Sequence, residues 1–173
     1  MTQQVGQERV PWLPPRWFVR TAWLAHRAIY RVTGGRRGLT RPTVGGRFGM
    51  LRLHTVGRQS GKERIAILGY REDGPNLITL AMNGWAAPEP AWLLNLLARP
   101  DASVDLKNDR RLVRARVAEG EERTRLWAGW QDYRGYGDDL DAFARRRPTR
   151  VAVVVLEPPP ADPVATSSDE LPQ

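Results

Sequence analysis

Between His54 and Leu68 the sequence reads HTVGRQSGKERIAIL. Two glycines, a serine and three long cations, Arg58, Lys62 and Arg64, are packed between apolar, β-branched runs. Such a set suits the holding of an anion. Glycine lets backbone N–H groups turn toward negative charge, Ser60 adds a hydroxyl, and guanidinium groups grip phosphate or carboxylate oxygens in forked geometry. The nucleotide phosphate loop does not fit, because only three residues separate Gly57 from Gly61 and Glu63 stands where a hydroxyl must reach magnesium. The plain alternative is a hairpin with a solvated loop.

Trp92 and Asn95, three residues apart in PEPAWLLNLLARP, would share a helix face. Trp92 suits a core anchor. Asn95, among Leu94, Leu96 and Leu97, needs hydrogen-bond partners if buried, and a bound molecule or a neighbouring loop can supply them. Thiol and metal chemistry have little to work with: there is no cysteine, and only His26 and His54 carry imidazole.

The elements that must position these residues follow from periodicity and punctuation. Short runs rich in Leu, Ile and Val, MLRLHTV, RIAILGY and NLITLAM, are separated by the turn-forming GRQSGKE and EDGP. ASVDLK and RLVRARVAE form a further hairpin pair around Asn108 and Asp109, and RVAVVVLE is a fully apolar strand. Pro90 suits the first position of a short helix that Pro100 ends, and Glu121 and Glu122 suit the start of another. The pattern predicts a mainly β (α+β) fold of about six mostly antiparallel strands with flanking helices, a small barrel.

Charge divides the chain. Of the net charge of +8, residues 1–47 carry nine arginines against Glu8 alone, whereas the rest balances. This segment reads as a basic arm, a helix over 16–32 and a glycine-rich linker, followed by a domain over 48–157 and a disordered tail over 158–173. The helix opposes an arginine stripe (Arg16, Arg20, Arg27, Arg31) to an apolar one and carries aromatic rings. It suits either docking on the barrel or a peripheral contact with an anionic membrane face. No run is long enough to cross a bilayer and no signal pattern opens the chain, so the expected location is cytoplasmic. With a neutral body and no recognition motif, a nucleic-acid partner is not expected.

TVGRQSGKER, LAMNGWAAPEPAWLLNLLARPDASVDL, ARVAEGEERTRLWAGWQDYRGY and VVVLEP occur in the order and nearly the spacing of the deazaflavin (F420)-dependent nitroreductase family. Over residues 45–157 the chain resembles that family. The resemblance implies a split β-barrel binding coenzyme F420, whose ribityl phosphate and oligoglutamate tail would be the anion held by the basic turn. It places Arg58, Gln59 and Ser60 at the phosphate, with Arg64, Ile65, Ala66, Ile67, Leu68 and Gly69 along the adjoining strand. Leu80, Ala81, Met82 and Asn83, and Ala91, Trp92, Leu93, Leu94 and Asn95, would flank the ring and ribityl chain. Tyr136 would contact the coenzyme and Tyr133 the substrate. Their phenols could donate a hydrogen bond or proton to an acceptor oxygen receiving hydride, or simply pack over the barrel mouth.

Departures from the family pattern at Glu63, Gly69, Asn83, Leu93 and Asp139 fall mainly on the substrate side, and the segment DDLDAFARRRPTR is an insertion. The implied activity is hydride transfer from reduced F420 to a small conjugated acceptor such as a quinone or nitroaromatic. A non-catalytic F420 carrier or sensor and an FMN-binding split-barrel reductase are the alternatives, and the oligomeric state stays open.

Overall fold

Alternation of apolar and polar side chains sets the strands, and their pairing closes them into a barrel. The computed structural model of the chain describes residues 38–83, 88–134 and 140–160. In chain order it contains β1 (Gly49–Val56), β2 (Glu63–Asp73), β3 (Asn76–Ala81), α1 (Ala91–Ala98), β4 (Asp101–Leu106), β5 (Asp109–Val117), α2 (Gly120–Ala128), α3 (Leu140–Ala144) and β6 (Ala152–Glu157). The strands close in the order β1-β2-β3-β6-β5-β4, and every ladder is antiparallel. This is the six-stranded barrel expected from the sequence. The N-terminal arm and basic helix, Tyr136, Asp139 and the tail beyond residue 160 lie outside the described residues.

β1 alternates strictly: Leu51, Leu53 and Thr55 are buried while Arg52, His54 and Val56 face outward. β3 and β6 are apolar on both faces because both are covered. Leu77, Ala81, Val154 and Leu156 join the barrel interior, whereas Ile78, Leu80, Val153 and Val155 pack outward with Leu126, Trp130 and Leu140.

Several boundaries differ from expectation. Pro90 is not the first helical residue but the extended one before it, and its carbonyl accepts the N–H groups of Leu93 and Leu94. The glycine-rich linker is stitched down from residue 38 onward: Leu39 is buried, Thr40 exchanges backbone hydrogen bonds with Met50, and Gly45 N–H reaches Asp132 O at 3.1 Å. The insertion forms α3, docked on α2 by Trp127 Nε1–H donating to Asp141 Oδ1 at 2.7 Å.

α2 is bolted to the far end of β2. Arg71 Nη2 donates to Leu126 O at 2.9 Å, and Arg125 forks onto Asp73 at 2.9 and 3.0 Å. Gly129 keeps Arg71 in place, since a Cβ there would approach the guanidinium to 2.8 Å.

Candidate functional site

β1 and β2 stop pairing at Val56 and Glu63, leaving residues 57–62 as the turn. Gly57 N–H donates to Lys62 O and Gly61 N–H to Gly57 O, both at 2.8 Å. A Cβ on Gly57 would meet Ser60 Oγ at 2.7 Å, and Gly61 adopts φ +65°, so both glycines are demanded by the turn itself. Ser60 Oγ accepts from Lys62 N–H and from Arg64 Nη2, each at 3.4 Å.

The turn is held from below by α1. Asn95, 4% exposed, accepts Arg58 N–H at Oδ1 (3.1 Å) and donates from Nδ2 to Thr55 Oγ1 (3.1 Å). Thr55 in turn donates to Arg64 O at 3.3 Å. The end of β1 and the turn after it therefore supply the partners that a buried Asn95 needs. The Arg58 and Arg64 side chains are exposed, and neither guanidinium has a carboxylate partner among the described residues.

Beside the turn the barrel opens. β2 pairs with β3 only over Arg71–Asp73, whereas β3 pairs with β6 from Leu77 to Ala81. From Glu63 to Tyr70 the described partner of β2 is β1 alone. The ladder between β2 and β3 thus ends short of the turn, leaving a split in the barrel wall, the cleft, and Thr79 Oγ1 donates to Gly69 O at 2.9 Å next to the last paired residues. Unpaired N–H and C=O groups along such an edge are a template for the polar atoms of a ligand.

The face of β2 that carries the barrel-side partners of Thr55, Leu53, Leu51 and Gly49 runs Arg64, Ala66, Leu68, Tyr70. It passes from a cation through a small residue to apolar wall. Burial pushes the Tyr70 phenol up to about 12. Ile65 and Ile67 stand on the opposite face, beside His54 and Arg52.

The other sequence-predicted residues are spread more widely. Gln59 is exposed on the turn, and Ala91 is exposed at the start of α1. Trp92 and Leu93 pack against the barrel core, with Leu94 half-buried beside them. Ala81 is buried in the barrel, but Leu80 faces the outer layer and Met82 packs on that layer too. Asn83, at φ +47°, uses its amide to bridge its own loop, donating to Pro88 O at 2.8 Å. Tyr133 is half-buried against Trp130, whose ring meets Phe48 just before β1; Arg58 lies beyond the other end of that strand.

Two polar clusters escaped the sequence reading. Arg147, fully buried, donates to Ala81 O at the end of β3, to Thr149 Oγ1 at 3.2 Å, and pairs with Glu89 Oε1 at 3.1 Å. On the outer face His54 bridges Glu63 Oε1 and Asp105 Oδ2, both at 2.9 Å, and Arg52 also donates to Asp105. Burial works against the Asp105 carboxylate, but hydrogen bonds and charge from His54 and Arg52 outweigh it and hold its pKa below the usual range. Among the described residues no group of acids and histidines could hold a metal ion. Neither cluster could be read from spacing, because each joins residues dozens of positions apart.

A cation-rimmed cleft with an apolar depth fits a long coenzyme that is anionic at one end and a flat conjugated ring at the other. Comparison with known proteins identifies the family. The family model for F420H2-dependent quinone reductase matches residues 23–158. A Mycobacterium tuberculosis protein provisionally named as such a reductase is 36% identical over 108 residues, covering 62% of this chain and 88% of that protein. An F420H2-dependent quinone reductase of the same organism is 35% identical over 104 residues, covering 59% and 68%. Among solved structures, an F420-H2 dependent reductase superposes with a TM-score of 0.56 at 25% identity, covering 67% of this chain and 99% of its own. The chain belongs to the F420H2-dependent quinone reductase family.

Proposed function

We propose that this F420-dependent reductase holds the coenzyme lengthwise in the cleft between β2 and β3 and that its acceptor is a quinone. The observation that carries the reading is the gradient from Arg58 and Arg64 at the turn, whose guanidiniums have no carboxylate partner among the described residues, along β2 to Leu68 and Tyr70. Reduced F420, when bound, supplies the hydride. Every other task falls to the chain. Arg58, Arg64 and Ser60 bind the phosphate and carboxylates through charge-assisted hydrogen bonds. The open edge of β2 orients the coenzyme, while Leu68, Ala81 and Trp92 exclude water from the face where transfer occurs.

The Asn95–Thr55 network keeps the donors in place before the coenzyme arrives, so little ordering remains to be done on binding. No nucleophile is required: a quinone that gains a hydride needs only a proton on its oxygen, and the phenols of Tyr133 and Tyr136 are the candidate donors. The test is anaerobic mixing of reduced F420 with menadione and catalytic amounts of protein, following the return of oxidised deazaflavin absorption. Protein-dependent oxidation, slowed about tenfold or more in Tyr133→Phe or Tyr136→Phe, is expected. Tight coenzyme binding with no acceleration toward any quinone would leave a carrier instead.

A further inference from the structure

Away from the cleft, α2, α3 and the start of β6 surround an open hollow of about 460 Å³, within the range of small-molecule sites. Arg123, Arg145 and Arg150 line it, against an apolar wall of Trp127, Ala144 and Val151. The carboxylate at the rim, Asp141, is engaged by Trp127 Nε1–H at 2.7 Å. Arg123 lies over the Trp127 ring, 5.3 Å from its centre, and donates to Val151 O at 3.0 Å.

Nearby arginines are matched by acids: Arg116 by Glu122 and Glu157, Arg125 by Asp73, Arg114 by Asp101. Arg123 and Arg150 have no such partner among the described residues. Burial, and then the charge of Arg150, holds the Arg123 pKa below its ordinary value, as expected of a part-buried cation crowded by a second one.

We propose that this hollow is a second ligand site, in which Arg123 and Arg150 grip the carboxylate of a small organic acid whose body rests on Trp127, Ala144 and Val151. Guanidinium forks match carboxylate and phosphate alike, but only an organic acid makes use of the apolar wall. The site is distinct from the coenzyme cleft. Val151 leads into β6, which pairs with one edge of β3 through Ala152 and Ala81, whereas the cleft opens on the other edge.

Calorimetric titration of the full chain with benzoate, with and without saturating F420, tests the proposal; acetate and inorganic phosphate serve as controls. Saturable benzoate binding is expected, unaffected by F420 and about tenfold tighter than either control. Arg150→Glu should abolish it and Arg123→Gln weaken it about tenfold, with F420 affinity unchanged in both. The Arg150 side chain makes no hydrogen bond or ion pair among the described residues, so Arg150→Glu should leave the denaturation midpoint unchanged. Absence of benzoate binding, displacement by F420, indifference to Arg150→Glu, or equal affinity for phosphate would each overturn it.

Discussion

The two walls of the cleft are built differently. The β3 wall is part of the fold: it is buried on both faces, paired with β6 along its length, and tied at its end by Arg147. The β2 wall is exposed from Glu63 to Ile65 and half-buried from there to Gly69, is paired with β1 alone over that stretch, and adjoins a turn held by the buried amide of Asn95. Stability should therefore reside mainly in the first wall and affinity in the second.

The largest effect should come from breaking the β3 wall. Arg147→Met leaves Glu89 facing a part-buried, unmatched environment and Ala81 O without its donor. It should cost about 3–5 kcal/mol in urea denaturation, enough to threaten folding. Asn95→Leu strips partners from Arg58 N–H and Thr55 Oγ1. A stability loss of about 1–3 kcal/mol is expected, together with an F420 affinity at least about tenfold weaker. Arg58→Ala should lower affinity by a similar factor while leaving the denaturation midpoint unchanged, because its side chain makes no hydrogen bond or ion pair among the described residues. Equal losses of stability and affinity in Arg147→Met and Arg58→Ala would erase the distinction between the walls.

The smallest effect concerns pH. The folded Asp105 carboxyl titrates below its unfolded value, so its contribution is complete above the ordinary carboxylate range and fades as pH falls through the lower, folded pKa. Asp105→Asn should thus flatten the acid limb of the stability profile and leave the profile above about pH 8 parallel to that of the parent.

Much of this was legible in the residues. Period-two alternation in β1 and the apolar run of β6 announce a barrel, and the glycine-flanked cations mark the turn on which the proposed coenzyme site rests. What stayed hidden is pairing at a distance. The sequence marks Asn95 as a buried amide in need of partners, but the identity of those partners, Thr55 and the Arg58 backbone, depends on α1 crossing beneath the turn. Likewise the split between β2 and β3 follows from where two ladders stop, which no local pattern records. Leu80 and Asn83 sit in a strand and loop that flank the cleft, yet strand alternation sends Leu80 outward and the positive φ of Asn83 directs its amide to Pro88. Nothing in the sequence of the insertion tells its arginines apart; only the fold brings Arg147 inside and sets Arg150 and Arg123 around one hollow.

The central claim, that the turn between β1 and β2 grips the anionic end of the coenzyme, is tested most directly by titrating oligoglutamylated F420 into the protein and Arg58→Ala at rising salt. Affinity that falls with ionic strength in the parent, and falls less steeply from a weaker start in Arg58→Ala, is the expected result. Affinity indifferent both to salt and to the substitution would contradict it.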